Sequence, residues 1–152
     1  MTEQGLRANL FPPKDGRTGL MSSRRQLKFA LHRTMSYWVV IRDGLKCVTC
    51  GQRHNLTASH LFKRGHEKAS WELNNLFAQC DRCNGQHNRD PYPLEQVFRQ
   101  RYGQEAMDEL YKQWTGTSHF KEYHLRNMLN ERIVMLLELF NQTGLTFERV
   151  RS

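Results

Sequence analysis

Apolar residues recur along much of this 152-residue chain at intervals of three and four, the spacing that gathers them on one face of a helix. From Ser22 or Ser23, either suited to cap a helix, Leu27, Leu31, Met35 and Trp38 form such a stripe, while Arg24, Arg25, Lys28 and Arg33 lie mostly off it. The pattern predicts a basic amphipathic helix over residues 22–41, after which Asp43-Gly44 turns the chain. Beyond residue 90 the pattern is helical again. Pro93, at a first-turn position, precedes Leu94, Val97, Phe98 and Tyr102; after Gly103 come Met107, Leu110, Tyr111 and Trp114. After Gly116, a longer stripe of Leu125, Leu129, Ile133, Leu136, Leu137 and Phe140 runs to Gly144. Three helices are expected there, their apolar faces serving as core or as a subunit interface. Thr146 to Ser152 carries no clear signal. In the middle, Leu56-Thr-Ala-Ser-His60-Leu-Phe and Trp71 to Gln79 read as two strands with a basic loop between them, and a short helix follows that Pro91 must end. The fold class is α+β.

Residues 5–21 mix Gly, the Pro12-Pro13 pair and few periodic apolar positions. They read as part of an extended basic arm, residues 1–21, that packs only locally or on a partner. Residues 22–152 then form one domain: the basic helix 22–41, a core over 42–91 and a helical part over 92–152.

Charge adds a partner to this picture. The chain carries 23 Lys+Arg against 15 Asp+Glu, formally +8, and residues 1–46 hold nine of the cations and three of the acids. An anionic partner is expected, and DNA is the leading one. The longest apolar runs, Tyr37 to Ile41 and Ile133 to Leu137, are five residues each, against roughly 20 for a membrane span. No membrane association is expected, and the amino terminus does not resemble a signal peptide, so the cytoplasm is the expected compartment.

The four cysteines form two Cys-x-x-Cys pairs, Cys47-Val-Thr-Cys50 and Cys80-Asp-Arg-Cys83. Each can aim two thiolates at one ion, and the four together suit a closed tetrahedral zinc site with a structural role. Gly51 directly after Cys50 suits the tight chain reversal at such a knuckle. Redox dithiols or four unrelated thiols are the alternatives. The 29 residues between the knuckles exceed the ~15–20 of common two-knuckle fingers, so a substructure is expected in the gap.

That gap holds His60 at the end of the first β-like run, Asn75 before the second knuckle, and Asn84 directly after the last cysteine. This arrangement resembles the HNH, or ββα-metal, nuclease motif in a zinc-stapled form, and the endonuclease VII type of Holliday-junction resolvase is similar. More specifically, Cys-x-x-Cys-Gly, then Ser-His, then Asn-Leu-x-x-Gln-Cys-x-x-Cys-Asn, then Tyr102-Gly103-Gln104-Glu105 with Leu110 resembles the phage lambda NinG/Rap recombination family over about residues 42–111.

The resemblance implies a zinc-stapled ββα-metal core with the basic helix before it and helices after it. It implies a metal-dependent, structure-selective endonuclease acting on branched DNA or Holliday junctions in phage recombination. His60 matches the general base, Asn84 a ligand of a catalytic Mg²⁺ or Mn²⁺, and Asn75 the asparagine that braces the loop carrying the base. One position departs from the motif. Many HNH nucleases place an Asp before the base histidine as second metal ligand, and this chain has Ser59. His87, one helical turn from Asn84, is the favoured replacement, with His66, Asp81, Asp90 or water as others. His32, His54, His119 and His124 show no ligand spacing and read as structural or exposed.

Arg24, Arg25 and Lys28 on the basic helix, Lys63, Arg64 and Lys68 in the loop, and Arg53 and Arg82 near the knuckles are the expected phosphate contacts. Cutting opposed strands of a branch favours a two-fold homodimer, for which residues 120–140 are the candidate interface. A zinc-stabilised DNA-binding module without catalysis is the alternative function, kept open by Ser59; a zinc-organised protein-interaction domain fits the +8 charge less well.

Overall fold

The computed structural model describes residues 1–11, 23–63, 67–116 and 119–151. Among them the elements run α1 (Glu3–Leu10), α2 (Ser23–Arg42), β1 (Leu56–His60), α3 (Glu67–Ser70), a 3-10 turn at Leu73–Asn75, β2 (Leu76–Cys80), α4 (Asp81–His87), α5 (Tyr92–Tyr102), α6 (Gln104–Thr115), α7 (Glu122–Thr143) and α8 (Phe147–Arg151). The architecture is α+β: a two-stranded antiparallel sheet set among helices.

The amino-terminal arm is the first correction. Residues 3–10 are helical, because the Thr2 hydroxyl accepts the Gly5 N–H at 3.1 Å and Arg7 pairs with Glu3 one turn away at 2.9 Å. Leu6 and Leu10, also one turn apart, are fully buried in the main core, where α1 packs on α7 and α2. Two leucines make no visible period, and α7, one of their two partners, lies over a hundred residues on. Residues 12–22 of the expected arm and cap, including Ser22, lie outside the described residues.

Helix α2 buries Leu27, Leu31 and Met35 as its stripe requires, adding Ala30, Thr34, Val39 and Val40. It packs along α7, whose Leu125, Leu129, Ile133, Leu136 and Phe140 are all buried inside this same chain. The stripe on residues 120–140 is thus an intramolecular core face, not a dimer interface. The unsignalled tail forms α8, where Phe147 packs 4.9 Å from Tyr37 and 5.0 Å from Phe140 between ring centroids. No helix of the described residues is long and apolar enough to cross a membrane.

Strand β2 is buried at all five positions because helices cover both of its faces. Leu76 and Ala78 join the core made with α2 and α7, while Phe77 turns into a second core with Leu94, Phe98, Met107 and Leu110 of α5 and α6. Its partner β1 runs antiparallel, Leu56 opposite Cys80 and His60 opposite Leu76. On its other edge the Ala78 N–H donates to the Asp43 carboxylate at 2.8 Å, and the Ala78 carbonyl accepts the Val48 N–H at 2.9 Å. Arg42 and Arg101 both pair with Asp43, whose side chain is 1% exposed. The turn residue of the sequence is therefore also an ionic tie between α2, β2 and α5.

Candidate active site and metal cluster

The two knuckles meet where β2 passes into α4. Cys47 and Cys50 lie in a turn closed by the Gly51 N–H to the Cys47 carbonyl at 2.9 Å, with Gly51 at φ +79°. Cys80 ends β2 and caps α4, and Cys83 lies in the first turn of that helix. The four sulfurs all lie within 4.8 Å of one another, and three of the four cysteines are buried. Cys50 Sγ and Cys80 Sγ are 3.7 Å apart, close to the ~3.8 Å edge of a tetrahedron with ~2.3 Å zinc–sulfur bonds. The cluster can hold a zinc ion.

Its electrostatics fit a cation. Burial pushes the Cys47 thiol up, but hydrogen bonds from the Thr49 hydroxyl and the amides of Cys80, Cys50 and Thr49 outweigh it and leave Cys47 at about 6. Burial and the neighbouring Cys80, Cys50 and Cys47 push Cys83 to about 12. One thiolate forms readily and the last is opposed by the others, a conflict that a dication at the centre removes. Arg82 lies against Cys50 and is held further above its usual value by that sulfur.

Beside the cluster, β1 and α4 wall an open cavity of about 310 Å³ lined by Ala58, His60, Lys63, Asn84, His87 and Asn88. Ala58 and His60 are two apart on the strand, and residues 84, 87 and 88 follow helical spacing, so one face of each element converges here. The His60 Nε2 lies 3.2 Å from the Ser70 carbonyl. A carbonyl only accepts, so Nε2 carries the proton and Nδ1 the lone pair. Asn75 is fully buried and ties Phe62 to Ala69 of α3: its Oδ1 accepts the Phe62 N–H at 2.8 Å, and its Nδ2 donates to the carbonyls of Phe62 and Ala69 at 3.1 and 3.0 Å.

Ser59 has a role that the missing-Asp reading overlooks. Its hydroxyl donates to Asn84 Oδ1 at 2.5 Å and so fixes which end of the amide faces it. His87 donates from Nε2 to the Leu61 carbonyl at 2.9 Å, and its Nδ1 is buried without a hydrogen-bond partner. A ring nitrogen held opposite a carbonyl-bound N–H is the usual posture of a metal-binding histidine. His87 also lines a second, small cavity of about 40 Å³ with Asp90 and with Gln79, whose Oε1 is likewise buried and unpartnered. Gln79 in turn donates to Thr49 at 3.0 Å, beside Cys47, so polar contacts run from the cysteine cluster toward His87.

Other expected residues fall elsewhere. Asp81 and Asp90 do not line the 310 Å³ cavity, and no Asp or Glu of the described residues does. His66 and Arg64 lie outside the described residues. Arg53, Lys63, Lys68 and Arg82 are exposed, and Lys63 is anchored to α6 by its carbonyl, which accepts from Trp114 Nε1 at 3.0 Å. Arg24 and Lys28 are not simply solvated, since both pair with Glu67 of α3. Burial opposes ionisation of Glu67, but hydrogen bonds from Lys28, Arg24 and the Phe120 amide prevail and hold its carboxyl at about 2. His32, read as structural or exposed, stacks on His60 with ring centroids 6.3 Å apart and planes 10° apart. The available sequence signal was a second stripe on α2, at residues 24, 25, 28, 29 and 32, in which Phe29 stands among the basic residues.

The fold and site define a small α+β protein with a four-cysteine cluster that can hold a metal ion. Its family is given by the match of residues 16–133, most of the chain, to the model of the Bacteriophage Lambda NinG protein. The chain belongs to the NinG family of phage recombination proteins. The match extends well to either side of residues 42–111, over both α2 and the first half of α7. No curated protein and no solved structure matches it.

Proposed function

We propose that this protein is a metal-dependent, structure-selective endonuclease of the HNH type, acting on branched DNA such as Holliday junctions. The observation that carries the reading is the convergence of His60, Asn84 and His87 on one open cavity with Lys63 on its wall. Hydrolysis of a phosphodiester needs a base for the attacking water and positive charge near the phosphate. With Nε2 held by the Ser70 carbonyl, His60 presents Nδ1 to take the water's proton. Asn75 ties Phe62 to Ala69 beside the cavity, and Lys63 on its wall would neutralise the phosphate.

The side chains offered to a catalytic cation are the amide oxygen of Asn84, oriented by Ser59, and Nδ1 of His87. Bound there, a divalent ion would supply Lewis-acid stabilisation of the phosphate. Amide and imidazole donors without a carboxylate fit Mn²⁺ better than Mg²⁺, and the DNA phosphate itself would bring the missing negative charge. Zinc held by Cys47, Cys50, Cys80 and Cys83 would be closed to substrate and would tie β2 to α4.

The absence of a carboxylate from the cavity favours a second reading, a zinc-stabilised DNA-binding module without catalysis. Labelled four-way junctions and linear duplex, incubated with Mn²⁺, Mg²⁺ or neither, separate the two. Cleavage of the junction is expected. His60→Ala should lower its rate about 10²–10⁴-fold while zinc content and DNA affinity stay near wild type. Full activity in that variant would remove His60 from the mechanism, and no cleavage by wild type with either ion would leave the binding module.

A further inference from the structure

On the far side of His60 lies a larger cavity, about 560 Å³, lined by Arg24, Arg25, Lys28, Phe29, His32, Glu67, Ser70, Trp71 and His119. It adjoins the candidate site closely. His32 on its wall stacks on His60, and Ser70, also on its wall, supplies the carbonyl that orients the His60 ring. Among the described residues three cations and one carboxylate line it. Glu67 stays ionised to about pH 2 and pairs with Arg24 and Lys28. It thereby sets the direction of two flexible cationic side chains while cancelling only one of their charges. Aromatic rings share the wall: Phe29 is 38% exposed, an unusual place for a phenyl ring on a basic helix, and Trp71 backs the cavity.

Cations beside an exposed ring, in a concavity of ligand size, are the elements that hold a phosphate and stack a base. Contacts to duplex phosphates would need the cations alone, and a base inside a duplex has both faces covered. Resting on the endonuclease reading above, we propose that this cavity receives one unpaired nucleotide of the substrate strand, next to the scissile phosphate. Its base lies on Phe29 and its phosphate is met by Arg25 with the Arg24–Lys28 pair. A fully paired helix cannot fill the cavity, so it makes the enzyme selective for DNA with an opened position, as at a branch point.

The test uses the full-length zinc-bound protein and short labelled duplexes of three kinds: fully paired, with one unpaired nucleotide, and with the same unpaired position lacking its base. Measured by fluorescence anisotropy without added Mn²⁺ or Mg²⁺, the unpaired nucleotide should bind about tenfold tighter than either of the others. Phe29→Ala should abolish that preference with paired-duplex affinity unchanged, and Phe29→Trp should keep it; thermal melts of both variants check folding. Equal affinity for the nucleotide and the baseless position, or an undiminished preference in Phe29→Ala, overturns the proposal. Cleavage of the same duplexes in Mn²⁺ separates the two readings. Cleavage without the binding preference sinks only the nucleotide cavity, whereas the preference without cleavage upholds the cavity and sinks the nuclease.

Discussion

An imidazole that donates to a backbone carbonyl has a single lone pair left to offer, and both His60 and His87 are in that position. The proposed base and the proposed metal ligand are thus given their tautomers by main-chain atoms, of Ser70 and Leu61, that no motif contains. The donor set makes an ionic preference measurable. Cleavage in Mn²⁺ should exceed that in Mg²⁺ by about tenfold, and His87→Gln, which offers an amide oxygen instead of nitrogen, should bring the two rates within a few-fold of each other. An unchanged ratio in steady-state assays would take His87 out of the coordination shell. At this scale the sequence made His60, Asn84 and His87 visible because their spacings from the cysteines are local. It hid Ser59 as the partner of Asn84 and His32 as the neighbour of His60, because those contacts join elements that no short-range period links.

Among the elements, α3 is held to α2 by Glu67, and this tie depends on pH. The folded carboxyl sits at about 2 against an ordinary 4.5, so the unfolded chain binds more protons between those values. The stabilisation is complete above about pH 4.5 and is lost as pH falls toward 2. Glu67→Gln should lower stability by about 2 kcal/mol near neutrality, and the gap from wild type should close on acidification; urea melts at pH 7 and pH 3 read both. The junction of β2 with α4 is expected to depend on metal instead. Cys80 ends one element and begins the next, so Cys80→Ser should release zinc and lose the protease resistance of residues 47–87. A zinc-free variant with native circular dichroism and native resistance would refute a structural role for the ion. The knuckles and the long stripes were legible because each repeats within a few residues, whereas α1 has only Leu6 and Leu10 to show for itself.

Across the whole molecule, α2 and α7 form the spine on which β2 lies, and the α7 stripe is consumed there. Ile133→Ala should therefore cost about 2–4 kcal/mol of stability, with the sedimentation coefficient of the native protein unchanged. A variant that alters association while keeping its melting temperature would return that face to a subunit contact. The sheet has only two strands, and a free edge on β2 would be an invitation to pair with another chain. Here the Asp43 carboxylate and the Val48 amide take the hydrogen bonds that a third strand would want. The hairpin is closed to growth from that side, so a second copy of the protein cannot extend the sheet by adding a strand to β2.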